Sequence, residues 1–460
     1  MKDSEHTKAR INRRDFVRGT AAVVGSVMAS HFPGTASAYF GVDDTIKVGL
    51  IGCGGRGTGA AVQALVAAKN ARLVAMADAF EARVNESYGN LTDPLSAAQD
   101  PSMVGIQNQI DVPVEHRFVG FEAYRQVIPL VDVVILATPP GFRPIHFDAA
   151  IEAGKQVFME KPVAVDAPGV RQILATAEKA KEKRLNVVVG LQRRYQTEYL
   201  EWVSRIHDGA IGDVILGRVY WNGEGVWIRD RASFEATLGR PATEMEYQMW
   251  NWYYFNWLCG DHIVEQHIHN IDVANWVKRS LPVSAQGQGG RQVRTGPDVG
   301  EIYDHHFVEF EYADGSRVFS QCRHIEGCMS LVSEGFHGTA GSAPQPGEIL
   351  DAAGGTIYRH RGKEDPNPYQ TEHDALFSAI NAGEFKFADA QIGAEATMSA
   401  ILGRMATYSG QVVTWDQAMA SELKIGPDTS DTLTWDTNPP VLPNEQGAYG
   451  CPMPGLTQAL

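Results

Sequence analysis

The sequence predicts an α/β protein: an N-terminal Rossmann domain followed by an α+β domain with a mostly antiparallel open sheet. Three observations carry that reading. A short apolar strand at 45–54 ends in Gly52-Cys53-Gly54-Gly55-Arg56-Gly57. Strand-like and helix-like segments then alternate to about residue 190, the grammar of βαβ units around a parallel sheet. Beyond about residue 212 apolar and polar residues alternate, as in strands with one solvated face.

The elements follow in order. Residues 58–68 read as a helix, 71–78 as a second strand, and 90–117, rich in Asp, Pro, Gln and Ser, as an inserted loop. Strands are expected at 131–138, 156–159 and 186–190, with a charged helix over about 166–183. In the second half, 214–221, 305–312 and 316–324 read as strands, the last pair joined by an Asp314-Gly315 turn. Helices return over 372–409, and the Pro- and Gly-rich tail from residue 438 is expected to wrap over the surface. The predicted domains are 39–190 (Rossmann), 191–420 (substrate and oligomer contacts) and 421–460 (tail).

Composition limits the function classes. The 460 residues are 44% hydrophobic and 21% charged, and at roughly 150 residues per domain two or three domains fit better than one. Forty Lys and Arg against 55 Asp and Glu give a formal charge of −15. That is the wrong sign for neutralising phosphates, so nucleic acid is excluded as a partner. No apolar run reaches the roughly 18 residues a spanning helix needs, so no membrane partner is expected.

Residues 1–38 are set apart from the fold. Asn12-Arg13-Arg14-Asp15-Phe16-Val17-Arg18 places a twin arginine before a mildly apolar stretch, and Ala36-Ser37-Ala38 gives a small-x-small cleavage pattern. The segment resembles a twin-arginine (Tat) export signal, implying the Tat machinery as a partner and a periplasmic or otherwise exported protein. Its removal, with six basic and three acidic residues, takes the charge to −18. Tat export carries folded proteins, so a cofactor bound beforehand travels with its protein. The five cysteines fit no disulfide framework, and Cys322 and Cys328 read as two buried thiols.

The glycine run spells GxGxxG after a strand and before a helix, with Asp78 ending the next strand. Gly52 allows the tight turn, Gly54 lets backbone approach a pyrophosphate, and Gly57 opens the helix whose free N–H groups hold it. Asp78 can accept from ribose hydroxyls and would repel a 2′-phosphate, so the expected cofactor is NAD rather than NADP. Glu160-Lys161-Pro162 places opposite charges at the carboxyl end of a buried strand, where ligands of open α/β sheets bind.

In order, GxGxxG, Ala137-Thr138-Pro139-Pro140 with His146, Glu160-Lys161-Pro162, and Val189-Gly190-Leu191-Gln192-Arg193-Arg194-Tyr195 resemble the Gfo/Idh/MocA oxidoreductases over roughly residues 45–420. The resemblance implies a cofactor site of Gly52, Gly54, Arg56, Gly57, Asp78, Thr138, Pro139, His146, Glu160, Lys161 and Gln192. It also implies catalysis by Lys161, Glu265 and His269, the last two in a segment closed by Asp272. Glu265 stands where the family has Asp, and His267 where Gly is common. Four residues apart, Glu265 and His269 would share one helix face, with His269 taking a hydroxyl proton as hydride leaves.

Arg193, Tyr195, Trp252 and His267 join Lys161 and His269 as expected substrate contacts. Half of the dense aromatics at 250–257 are expected in the core. His262, Glu265 and His269, with His305, His306 and His324, offer metal-ligand types, but no HExxH spacing occurs and no metal is expected. The expected activity is NAD-dependent hydride transfer from a sugar or glycoside hydroxyl by a homo-oligomer (dimer or tetramer). Two alternatives are a glycoside hydrolase or lyase working through a transient keto intermediate, and a non-catalytic sugar-binding protein.

Overall fold

A computed structural model describes residues 44–93, 103–428 and 432–460. The twin-arginine segment therefore lies outside the described residues. From Thr45 onward the chain forms one unit built on two sheets.

The first sheet contains β1 (Ile46–Ile51), β2 (Ala71–Asp78), β3 (Arg117–Val119), β4 (Val133–Leu136), β5 (Gln156–Met159) and β6 (Val187–Val189). Its order is β3-β2-β1-β4-β5-β6, and every pair is parallel. The strands are short and apolar because both faces are covered: Val48, Leu50 and Val133 to Leu136 are fully buried. Helices α1 (Gly55–Ala67), α2 (Glu81–Thr92), α3 (Arg143–Glu152) and α4 (Ala167–Glu182) supply the covering layers. Strand order reverses at β1, between β2 and β4, which puts a crevice at the carboxyl ends of those strands.

The second sheet adds β7 (Val214–Gly223), β8 (Ser284–Gly290), β9 (His305–Glu311), β10 (Arg317–His324), β11 (Leu331–Gly338), β12 (Gly341–Ala343), β13 (Glu348–Asp351), β14 (Thr356–Arg359) and β15 (Val413–Thr414). The order is β14-β13-β12-β11-β7-β10-β9-β8-β15. Its pairs are antiparallel except β7 with β10. The long excursion between those two strands carries the segment that meets the first domain. The buried face, including Val219, Val308, Phe310, Val318 and Phe336, packs in one core with α5 (Ile268–Lys278) and α6 (Ala390–Ser409).

The structure departs from the sequence reading in several places. The insert at 90–117 contributes strand β3 and two short 3-10 turns, Ile106–Gln109 and Val114–His116; only three residues pair, too few for a periodic signal. Residues 94–102 lie outside the described residues. Cys322 is buried as expected, whereas Cys328 is exposed in the turn after β10, and all five thiols are free. Among its described residues the tail has no helix or strand, yet it buries Tyr449 and lays Trp435 on Phe80 and Phe121, with ring centroids 4.8 and 4.7 Å apart.

The helix before α6, Pro368–Asn381, packs against α1, and Val187 of β6 bridges to Ala388. The second half thus reaches back over the first sheet. A buried charge cluster lies within the second half, beginning just beyond β6. Glu334 of β11 accepts from the Arg193 guanidinium, from the Tyr199 hydroxyl at 2.9 Å and from the Asn270 amide at 2.6 Å. Glu334→Ala is expected to lower stability by about 3–5 kcal/mol, because it strands the buried Arg193 charge. The check is the urea midpoint at unchanged m value, with Glu334→Gln falling between the variant and the parent.

Candidate active site

Two adjoining clefts lie at the carboxyl ends of the parallel strands. The first, about 300 Å³, is lined by Gly52, Gly54, Gly55, Arg56, Gly57, Asp78, Thr138 and Pro139. Gly52 has φ +99°, and a Cβ there would sit 2.5 Å from the Ala137 carbonyl carbon. A Cβ on Gly57 would lie 1.9 Å from the Gly52 oxygen, so strand and helix approach as closely as glycine allows. Above Gly54 and Gly55 the space is open. Helix α1 starts with no side-chain cap and no acidic residue in its first turn, leaving its first N–H groups for an anion. This cradle fits the pyrophosphate of a dinucleotide.

Asp78 closes the far end. Its carboxylate accepts from the Cys53 amide at 2.7 Å and the Phe80 amide at 3.0 Å, locking the glycine loop to β2. Burial raises its pKa, opposed by those two amides. Arg56 lines the cleft with its guanidinium held by Glu160 at 2.5 Å and Glu372 at 3.3 Å. Glu160 is therefore a clamp on the loop. The opposite wall, Trp227, Arg229, Trp250 and Trp252, comes from the second half.

The second cleft, about 340 Å³, shares Arg56, Thr138, Trp227 and Trp252 with the first and is lined by Lys161, Glu265 and His269. Both volumes fall in the range of about 300–1,000 Å³ usual for ligand pockets. Lys161 precedes a cis Pro162 at the end of β5, and its ammonium donates to the Glu265 carbonyl at 2.5 Å and carboxylate at 3.1 Å. Glu265 and His269 do not share a continuous helix. His262–Glu265 is a single turn, and α5 starts only at Ile268. The break lies at Gln266 (φ −109°, ψ −48°), after which the His267 amide bonds back to the His262 carbonyl at 3.1 Å; the turn itself starts at Asp261, with φ +76°. Its buried carboxylate accepts from the His262 amide at 2.5 Å and ring at 2.8 Å, the Tyr303 amide at 3.0 Å and the Tyr408 hydroxyl at 2.5 Å. Burial pushes the Asp261 pKa up, but His306 and His262 hold it well below the carboxylate range.

His269 is 6% exposed and stacks 5.9 Å from Trp221. Its Nδ1 has no partner among the described residues. Burial, and then the Lys161, Arg193 and Arg56 charges, hold its pKa well below the ordinary imidazole value, so the ring is neutral.

The other expected contacts divide. Trp252 lines both clefts. His146 lies in a small apolar cavity beside Asp78, hydrogen-bonded to Thr138 at 3.1 Å, with its pKa lowered to about 3 by burial and Arg143. Gln192 stands two residues beyond Gly190 of the second cleft without lining it. Three residues expected to touch substrate line neither cleft. Arg193 is held by Glu334, Tyr195 donates to Asp389 at 2.6 Å, and His267 is fully buried against Ser320 at 2.8 Å. Each is captured by a buried polar partner from a distant stretch, which local sequence cannot reveal.

The groups that cluster with metal-ligand spacing are Asp261, His262 and His306, all buried and within 4.8 Å, rather than Glu265 and His269. Sequence reasoning missed Arg143, Trp227, Tyr253 and Gln266. Arg143 holds the end of β4 through the Leu136 and Thr138 carbonyls, both at 2.7 Å; an Arg two residues after Pro140-Gly141 was the available signal.

The glycine geometry makes two contrasting variants informative. Gly57→Ala is expected to cost about 1–3 kcal/mol of stability by overpacking. Gly54→Ala should shift stability by less than about 0.5 kcal/mol yet weaken NADH binding at least about tenfold by filling the cradle. Urea titration and fluorescence titration with NADH separate the two effects.

Comparison with known proteins agrees with this architecture. Residues 46–190 match Gfo/Idh/MocA, described as an oxidoreductase family with an NAD-binding Rossmann fold. The chain is 25% identical to an inositol 2-dehydrogenase of Acidothermus cellulolyticus over 344 residues, 74% of this chain and 83% of that one. An inositol 2-dehydrogenase of Rhizobium meliloti is 30% identical, over 37% of this chain and less than half (43%) of its own length. Among solved structures, levoglucosan dehydrogenase in complex with NADH and levoglucosan aligns with TM-score 0.59 at 17% identity, covering 81% of this chain and all (100%) of that one. The scyllo-inositol dehydrogenase of Lactobacillus casei, with bound NAD(H) and scyllo-inositol, aligns with TM-score 0.55 at 19% identity, covering 81% and 99%. The chain is thus an oxidoreductase whose residues 46–190 are similar to the NAD-binding Rossmann fold of the Gfo/Idh/MocA family.

Proposed function

We propose that this oxidoreductase takes hydride from the carbon bearing a secondary hydroxyl of a polyol, sugar or glycoside. The observation that carries the reading is the meeting of Lys161, Glu265 and His269, from two distant stretches, on one cleft that opens into the glycine-loop cleft. NAD, held by the cradle of Gly52 to Gly57 and Asp78, supplies the hydride acceptor when bound.

The chain's own groups divide the remaining work. The neutral His269 ring takes the hydroxyl proton. Lys161 donates to the same oxygen and stabilises negative charge as it develops there. Glu265 fixes the Lys161 ammonium through two acceptors. Trp221, Trp227 and Trp252 offer flat apolar walls for the C–H faces of a sugar ring. The names of the relatives, inositol 2-dehydrogenases, support a polyol or sugar.

Captive cofactor is part of the proposal. Trp227, Arg229, Trp250 and Trp252 wall the cradle from the second half, which supports slow NAD exchange. A captive NAD would suit export by the twin-arginine route, and a second substrate would then re-oxidise it in ping-pong turnover. The outer face of the second sheet carries Tyr220, Phe307, Phe319 and Leu331 among Arg218, Glu309 and Arg317, which supports its use as a homo-oligomer contact.

His269→Ala is expected to lower the turnover of a cyclitol and glycoside panel by about 10²–10⁴-fold, read as absorbance at about 340 nm, while NADH binding stays within about twofold. Unchanged turnover overturns the assignment. The depressed His269 pKa also fixes a pH signature. As pH falls through the ordinary imidazole value of about 6.5, His269 stays unprotonated, so kcat/KM should remain flat there and decline only at lower pH. An inflection at the ordinary value would mean that another group is the base.

A further inference from the structure

Gln266, at the break between the His262–Glu265 turn and α5, lines the second cleft beside Glu265 and His269. Its amide orientation is set from behind by a buried chain. The Arg294 guanidinium, a group with donors only, lies 2.6 Å from Nδ1 of His324. That nitrogen must therefore accept, which leaves the proton of the neutral ring on Nε2. Nε2 in turn lies 2.6 Å from Oε1 of Gln266 and donates to it. The neutral state has its own cause: burial, then His262 and Arg294, hold the His324 pKa well below the imidazole value.

With its oxygen fixed by His324, Gln266 keeps both amide N–H groups to offer, and these have no partner among the described residues. A second group in the same cleft is also unmatched. The Tyr253 hydroxyl is buried, in a residue 3% exposed, and has no hydrogen-bond partner among the described residues. A buried hydroxyl and an oriented amide left open in one cavity cost free energy unless a ligand satisfies them.

We infer that Gln266 and Tyr253 recognise a second oxygen of the substrate, a hydroxyl other than the one oxidised, with Gln266 held as donor by the Arg294–His324 chain. The inference rests on the proposed polyol or sugar substrate and adds a specificity determinant to it. Gln266 touches the ligand directly; His324 is a positioning residue.

The test measures binding and turnover separately, on the full chain loaded with NAD. The probes are myo-inositol, glucose and methyl glucoside, with monodeoxy analogues of whichever binds. Binding is read by quenching of the cleft tryptophans. Gln266→Leu is expected to weaken binding and raise KM by about 10- to 100-fold with kcat within about threefold. One monodeoxy analogue should bind the parent correspondingly worse, yet bind Gln266→Leu no worse than the full polyol does. His324→Leu should move KM in the same direction, and His324→Gln, which can again accept from Arg294 and donate to Gln266, should restore it. NADH affinity and melting temperature serve as folding controls.

Equal polyol affinity in parent and Gln266→Leu overturns the inference, as does a monodeoxy penalty that persists in the variant. Polyol binding without absorbance change would sink the redox reading alone, and the affinity ratio would still decide the role of Gln266. Binding of no compound in the panel overturns the inference itself.

Discussion

The carboxylate of Asp261 is fully buried, ionised and supplied with four hydrogen-bond donors. An uncompensated charge at that depth would cost several kcal/mol, so its partners are obligatory rather than decorative. They come from the neighbouring His262, from Tyr303 just before β9, and from Tyr408 near the end of α6. The residue itself takes a left-handed backbone conformation that side chains rarely adopt. That conformation turns the chain sharply before His262. Glu265 and Gln266 then reach the cleft from one short turn, and His269 from the first turn of the next helix. Continuous helix through 262–278 would give one straight face; the kinked chain gives three side chains on one cavity wall.

The electrostatic environment around the two clefts follows the same logic of forced compensation. Lys161, Arg56, Arg193 and Arg143 approach the second cleft or lie just behind it, and each is met by a carboxylate or by strand-end carbonyls. Burial, and then the Lys161, Arg193 and Arg56 charges, act on His269, which has no carboxylate of its own and stays neutral. Dry surroundings and a net positive field thus make a proton acceptor of an imidazole without any direct partner.

Much of this was legible in the sequence. The apolar runs at 45–54, 131–138 and 186–190 could be read because strands buried on both faces leave nearly unbroken hydrophobic stretches. The glycine loop was legible because Gly52 and Gly57 tolerate no Cβ. That Lys161, Glu265 and His269 share one cleft was legible through their order along the chain. The roles of Arg193, Tyr195 and His267 were not, because Glu334, Asp389 and Ser320 meet them across sequence separations of 141, 194 and 53 residues. Glu265 and His269 were placed on one helix because a four-residue spacing carries no sign of the irregular backbone at Gln266 and His267. Strand β3 was missed for lack of length.

The Arg56 clamp has a temporal side. Its first carboxylate, Glu160, is made about a hundred residues after it, but its second, Glu372, is separated from it by 316 residues. Helix Pro368–Asn381, which carries Glu372, packs on the very helix that the glycine loop opens. On the ribosome the six-stranded sheet has all its strands once residue 189 has emerged, yet the cradle lacks its second anchor until most of the polypeptide is made. Completion of the nucleotide cradle therefore waits for residue 372 of 460, and a truncated product ending before it would carry a Rossmann sheet with a loosened loop.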